Sequence, residues 1–288
     1  MSVAEFLYTT VLAPKPLKAM ANAVIRQCIP SRLERHGAVV VLNAKDPVVS
    51  GALTLGVYEK AETAFFCAVC REGMTFLDVG ANIGYYTALA SARVGPRGKI
   101  VALEPDPENF RFLERTVAAN GARDVTCIQK AASDAEGILR LYISIANRGD
   151  NRLWAYELSD NSFEVAVSTV DSMLGERGVR SVNLVKMDVQ GYEGRVLRGM
   201  RETLGRSDHV ILLAEFWPFG LRSAGTAPEE LLEGLRRDGM RLYTLTERGG
   251  LARLTDQKAL IAKYPGTRYT NIVAVRGEPL PGNLEGAA

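Results

Sequence analysis

Asp78 stands two residues before Gly80, and Gly84 follows four residues later, within the run Thr75-Phe-Leu-Asp-Val-Gly-Ala-Asn-Ile-Gly-Tyr-Tyr-Thr87. Glycines so placed let the backbone turn tightly and approach a ligand, with the free N–H groups and positive dipole end of a following helix aimed at it. A dinucleotide site carries G-x-G-x-x-G to seat a pyrophosphate, but here Asn82 replaces the middle glycine. A carboxylate at Asp78 would repel a pyrophosphate and suit a ligand with an ammonium group and no phosphate. S-adenosylmethionine is such a ligand. Glu104-Pro105 follows the glycine turn by about twenty residues, where this architecture binds a ribose diol. Lys186 and Asp188 bring a cation and a carboxylate to one face of a strand, and a lysine that deep needs a carboxylate or polar ligand nearby. Glu193 and Glu215 add two acids near strand ends.

These residues need elements to hold them. Phe76, Leu77 and Val79 form the apolar run of a parallel strand buried on both faces. A helix from Tyr85 to Val94 stops at Gly95-Pro96-Arg97-Gly98, and the second strand, Lys99 to Leu103, ends at Glu104. The next helix starts near Pro107, presents Phe110, Leu113 and Val117, and closes at Asn120-Gly121. Val125 to Ala131 is the third strand; Ala132-Ser133-Asp134 after it lies beside the adenine position by the switch-point rule, though such turns are common. Two stretches of period two, Leu139 to Ile143 and Phe163 to Ser168, predict an inserted β-hairpin. The loop between them, 146–161, carries Arg148, Asn151, Arg152, Trp154 and Tyr156, either as substrate contacts or as an ordinary exposed loop. Val182 to Asp188 and His209 to Glu215 are the fourth and fifth strands, and Thr226 with Glu229 predicts a capping box. Arg241 to Thr246 and Thr270 to Val275 end the sheet with an antiparallel edge.

Upstream, Gly56-Val-Tyr-Glu59 precedes a helix from about Lys60 to Cys70, so Tyr58 and Glu59 either cap that helix or face the ligand. His36 to Gly56 reads as short β-prone pieces. Residues 1 to about 36 read as one or two helices broken by Pro14, Pro16 and Pro30, covering a sheet face or edge, or serving as a lid or homodimer contact. The expected division is an extension over 1–55, the main domain over 56–277 and a loose tail over 278–288.

The 288 residues, 47% hydrophobic and 24% charged, suit one α/β domain with an extension and exclude a disordered or fibrous chain. A net charge of +2 gives no field that argues for nucleic acid or an anionic membrane. Neither a signal peptide nor a membrane span is visible, which predicts a cytoplasmic protein. Cys28, Cys67, Cys70 and Cys127 make no disulfide framework, and the Cys67-x-x-Cys70 pair lacks the partners of a zinc site, so both read as small buried hydrophobes.

The motifs Phe76 to Thr87, Leu103-Glu-Pro-Asp106, Ala132-Ser-Asp134 and Lys186-Met-Asp-Val-Gln-Gly-Tyr-Glu193, with Gly56 to Glu59 upstream, occur in an order that resembles the FkbM-type S-adenosylmethionine-dependent methyltransferases from about Asp46 to Val275. The resemblance implies a class I methyltransferase fold: α/β, doubly wound and Rossmann-like, with a mostly parallel seven-stranded sheet and one antiparallel strand. It also implies O-methylation of a hydroxyl of a sugar, glycan, polyketide or related metabolite. The donor-binding residues expected are Glu59, Asp78, Gly80, Ala81, Asn82, Gly84, Tyr85, Glu104, Pro105, Ala132, Ser133 and Asp188, with Asn82 and Tyr85 either facing the donor or capping the helix. Gln190 departs from the acidic residue the family commonly carries, so no role of that acid, such as metal binding, carries over, and no metal ligand is assigned.

Methyl transfer to a hydroxyl needs in-line placement, removal of a proton and a dry pocket. The base must come from the carboxyl ends of the strands. His209 precedes its strand and His36 lies far upstream, so carboxylates remain: Asp188, Glu193 and Glu215. Asp188 is the expected base or substrate-orienting acid, with Lys186 tuning it. An RNA or protein methyltransferase is the alternative, followed by a non-catalytic binding module or a nicotinamide-dependent oxidoreductase. No Asn/Asp-Pro-Pro-Tyr/Phe follows the fourth strand, which argues against amino-methylation of adenine or glutamine.

Overall fold

The computed structural model describes residues 15–121, 124–144, 148–155, 161–277, 280, 281 and 284. Pro14, Tyr156 and most of the tail lie outside them. The described chain opens with a helix, Lys15–Cys28, and an antiparallel hairpin of β1 (Arg32–Arg35) and β2 (Ala38–Val41). His36 and Gly37 turn it at φ 50 and 78, the pair of positive φ values a tight hairpin turn wants.

Where β-prone pieces are expected, residues Val49–Leu55 form a helix. The valines favour a strand locally, but Asp46 Oδ1 accepts the N–H groups of Val48 and Val49 at 3.0 and 3.2 Å and starts the helix. Gly51 then lets it lie against the first helix, since a Cβ there would stand 2.7 Å from Ile25 Cγ2. A further helix, Lys60–Val69, leads into the sheet. Cys70 at its end is buried and Cys67 partly so, both packed in the apolar core.

Parallel strands β3 (Thr75–Val79), β4 (Lys99–Leu103) and β5 (Val125–Ile128) follow, with helices Tyr85–Ser91 and Pro107–Ala119 between them. The expected third strand divides at this point, because β6 (Ala131–Ala132) leaves the main sheet and pairs with β8 (Ser162–Ser168), itself antiparallel to β7 (Gly137–Tyr142). The inserted hairpin is thus a three-stranded sheet. β9 (Leu184–Met187) and β10 (Val210–Phe216) return to the main sheet in parallel, and β11 (Arg241–Leu245), β12 (Leu251–Arg253) and β13 (Thr270–Arg276) complete it in the order β12-β11-β13-β10-β9-β3-β4-β5. The expected seven strands are present with β13 antiparallel between β10 and β11, and β12 adds a short eighth at the edge.

Both faces of the sheet are covered. On one, Val79, Leu103, Met187 and Leu212 pack against Val196 and Leu232; on the other, Phe76, Ile100, Leu184 and Leu213 pack against Phe65, Phe66 and Leu89. Ile29, Val40, Leu42 and Leu53 belong to the second core. The upstream hairpin is fastened to helix Pro107–Ala119 and its cap: Asn120 Oδ1 and Thr116 Oγ1 accept the N–H groups of Val39 and Val41 at 2.9 and 3.0 Å. The capping box does not form. Pro228 takes the first turn of its helix, Ala227 is the cap residue, and Glu229 instead accepts a hydrogen bond from Arg222 at 3.3 Å. Among the described residues no helix is long and apolar enough to cross a membrane.

Candidate active site

β3 leads toward β4 on one side while β9 lies on its other side, so the chain reverses its winding between β3 and β9. The loops leaving these strands splay apart there, and this is where a doubly wound sheet opens a crevice. Asp78 and Lys186 are register partners across the two strands. Gly80, at φ 83, touches the next loop so closely that a Cβ would collide with the Asp188 carbonyl oxygen. A side chain there would force the two loops apart.

Three carboxyl groups of this crevice are bound before any ligand arrives. Asp78 accepts a hydrogen bond from Thr87 Oγ1 at 2.6 Å; burial outweighs that bond and pushes its carboxyl up to about 6. Glu104 accepts the backbone N–H of Asn82 at 2.8 Å on one oxygen and that of Asp106 at 2.9 Å on the other. Burial, reinforced by the charge of Asp106, still raises it to about 8. Glu59 accepts a 2.5 Å hydrogen bond from the Tyr86 hydroxyl, and burial lifts it to about 7 against the pull of Lys186.

A cavity of about 900 Å³ runs along the strand ends, and Asp78, Gly80, Ala81, Asn82, Tyr85, Glu104, Pro105, Ala132 and Asp188 all form its wall. Asn82 lines the cavity, and its Oδ1 accepts the N–H of Ile83 at 2.7 Å; it does not cap the following helix, whose cap residue is Gly84. Tyr85 also lines it while sharing a 3.1 Å hydrogen bond with Thr63. Gly84 caps the following helix with its Cα turned to Leu113 and Thr116, and Ser133 is buried with its N–H bonded to Ser168 O at 2.9 Å; neither belongs to the wall. Lys130, Leu141 and Leu153 line it without having been singled out for the site. The alternating pattern places Leu141 on a strand but says nothing of what that strand covers. Asn151 joins them, fixed by a 2.8 Å bond from its Nδ2 to Asp106 Oδ2.

A second chamber of about 1430 Å³, open to solvent, adjoins the first, and Val49, Tyr58, Gly149, Asp188 and Gln190 line both. Glu59, Asp150, Arg152, Glu215, Trp217 and Tyr269 line only the second. Lys186 is buried, with Nζ 3.4 Å from Asp188 Oδ2 and 4.0 Å from Glu59 Oε2. Burial alone would pull its ammonium down, but Glu59, then Asp188 and Glu215, outweigh burial and hold it charged above the ordinary lysine range. Gln190, at φ 54, donates its side-chain amide to Asp188 Oδ1 at 2.8 Å and Glu215 Oε1 at 3.3 Å, and its backbone carbonyl accepts a hydrogen bond from Trp154 Nε1 at 2.8 Å. Arg152 lies 5.2 and 4.7 Å from the ring centroids of Trp154 and Trp217 and pairs with Asp150 at 2.7 Å. Glu193 lines neither chamber; its Oε1 accepts the N–H groups of Val189 and Gly191, each at 3.2 Å, and so shapes the loop after β9.

The first cavity suits S-adenosylmethionine: three carboxylates, Asp78, Glu104 and Asp188, line it beside Lys130 and a Lys186 already paired with Asp188, so it offers no basic cradle for phosphates. Residues 78–242 match the methyltransferase FkbM domain. The chain is similar to the hexuronic acid methyltransferase AglP of Haloferax volcanii, 29% identical over 137 residues that are 47% of this chain and 53% of that protein. The methyltransferase sdnD of Sordaria araneosa is 28% identical over 177 residues, 51% of this chain and 68% of that one. The 2-O-methyltransferase NoeI of Sinorhizobium fredii is 28% identical over 151 residues, 46% and 60% respectively. These matches span from about half to about two thirds of the relatives' lengths. With the motifs lining one crevice of a doubly wound sheet, the chain belongs to the FkbM family of S-adenosylmethionine-dependent methyltransferases.

Proposed function

We propose that this chain transfers the methyl group of S-adenosylmethionine to a hydroxyl oxygen of a sugar, glycan, polyketide or related metabolite, with the donor in the first cavity and the acceptor in the second chamber. The observation that carries this reading is Asp188, which lines both chambers where they meet. Bound there, the donor supplies an electrophilic methyl on a sulfonium. Glu104 takes the ribose hydroxyls and Asp78 the ammonium end, while Gly80, Ala81 and Asn82 let the backbone lie against the ligand.

Asp188 accepts the hydroxyl proton as the acceptor oxygen's lone pair forms the new C–O bond and the C–S electrons return to sulfur. Lys186 holds its own proton and is no base; it fixes one oxygen of Asp188, and Gln190 fixes the other. Glu193, walled off, supports the loop rather than touching the acceptor. The hydroxyl reading draws on a relative named as a 2-O-methyltransferase, and the sugar reading on one named as a hexuronic acid methyltransferase.

Asp188→Asn keeps the shape of the side chain and removes the base. Turnover with an accepted hydroxyl should fall by about 10²–10⁴-fold, while calorimetric affinity for S-adenosylhomocysteine stays within about twofold. Turnover near the wild-type rate would reject Asp188 as the base.

A further inference from the structure

Glu215 and Asn271 face each other in register across β10 and β13, and both line the second chamber. Glu215 uses Oε1 for Gln190, and its Oε2 is buried without a hydrogen-bond partner among the described residues. Asn271 donates its Nδ2 to Glu62 Oε1 at 2.8 Å, which fixes the amide orientation and leaves Oδ1 buried and likewise unpartnered. The two side chains are only 4% and 7% exposed. Buried polar atoms ordinarily find a hydrogen-bond partner, so these two, in residues of the chamber wall, are positions that a bound ligand can complete.

Asn271 Oδ1 can only accept, while Glu215 Oε2, where the carboxyl proton sits, can donate or accept, so what completes the pair must donate to one and can trade either way with the other, as a neutral hydroxyl does. The charges around them point the same way. Among the described residues, Glu59, Asp150, Asp188 and Glu215 line this chamber against one cation, Arg152, already committed to Asp150; Lys186, which lines the first cavity, is taken up by Asp188 and Glu59. Burial first, then the charges of Asp188 and Glu193, hold the Glu215 carboxyl well above the usual carboxylate range, so the fold favours its protonated form. An anionic ligand could use the Glu215 proton as a donor only by standing beside Asp188, which raises the cost again.

We infer that the acceptor chamber takes a neutral or amine-bearing polyol, which donates a hydrogen bond to Asn271 Oδ1 and exchanges one with Glu215 Oε2, and that it disfavours acceptors carrying a carboxylate. This inference rests on the second chamber being the acceptor site. It separates this chain from a relative named for a hexuronic acid, and the apolar patch of Val48, Val49 and Ala52 on the same chamber accommodates the carbon face of a sugar ring.

The protein reports its own occupancy. It has two tryptophans, Trp154 and Trp217, with ring centroids 5.7 Å apart beside Arg152 at this chamber. Their fluorescence can be titrated with methyl glucoside, methyl glucosaminide and methyl glucuronide at fixed ionic strength and saturating S-adenosylhomocysteine. The glucoside and glucosaminide should bind at least about tenfold tighter than the glucuronide, and Glu215→Gln should remove any advantage of the glucosaminide over the glucoside. Equal or tighter binding of the glucuronide overturns the inference. So does the absence of any response to all three, which leaves methyl transfer to another acceptor standing; failure of S-adenosylhomocysteine itself to bind would instead strike the donor site beneath it.

Discussion

Glu104 carries a carboxyl that has lost water on every side but kept two backbone donors, and burial still dominates, setting it at about 8 against an ordinary 4.5. The sign of the consequence is fixed by which form folding favours. A carboxyl raised in the fold contributes stability that is full below about 4.5 and is lost as the pH rises through about 8. Ribose hydroxyls that donate to Glu104 favour the ionised form instead. Donor affinity should therefore strengthen between pH 6 and 8, and calorimetry in buffers of different ionisation enthalpy should show net proton release on donor binding near pH 6.5. Glu104→Gln should weaken binding and flatten this pH dependence; an unchanged pH profile would remove Glu104 from the ribose site. Gly80 is legible in the sequence as a tight turn, but that its missing side chain makes room for the Asp188 carbonyl is a contact between segments more than a hundred residues apart.

The elements that hold the site are of two kinds. β3, β4, β9 and β10 follow from continuous apolar runs, and their buried patterns match that reading. The upstream hairpin and helix Val49–Leu55 depend on partners elsewhere in the chain. Asn120 shows this dependence most directly, because its side chain takes both the N–H and the C=O of Val39 at 2.9 and 2.6 Å. Asn120→Ala should lower the free energy of unfolding by about 1–3 kcal/mol, the worth of two partly buried hydrogen bonds, measured as a lower urea midpoint. Since Asn120 lines neither chamber, donor affinity in the folded variant should stay within about twofold. A variant as stable as the wild type would mean that Thr116 and the apolar contacts of Val40 hold the hairpin alone.

Across the whole molecule, positive and negative charges nearly cancel, at +2 overall, and the charge that matters is local and acidic, around the second chamber. Affinity for nucleic acid comes mainly from phosphate contacts with lysine and arginine, and nothing in the overall charge supplies a long-range field for it. Gel-shift assays with transfer RNA at about 0.15 M salt should show no retained complex; a stable, salt-sensitive complex would favour the RNA methyltransferase alternative. The first cavity and the second chamber adjoin at the switch between β3 and β9, so residues from 58–59, 78–82, 149–152, 186–190 and 215–217 line neighbouring hollows although they are far apart in the chain.

The sequence by itself determined the doubly wound sheet, the glycine turn after β3 and the acids beside it, since short apolar strands, glycine punctuation and an acid at a strand end are local patterns with a local physical cause. It also placed Lys186 and Asp188 on one face, because the two-residue period of a strand leaves no other choice. It misread Val48-Val49, where an Asp46 cap and a helix–helix contact outweighed β-branched propensity, and the Thr226 capping box, where Pro228 took the first helical turn. It reached Glu59 without saying whether that side chain caps or lines a site. Only the tertiary structure decided that Glu59 belongs to the second chamber, that Glu193 supports a loop, and that Glu215 and Asn271 stand opposite each other, each with a buried oxygen that has no hydrogen-bond partner among the described residues. Burial and charge at a site are set by the segments that fold around it, and those segments are distant in sequence.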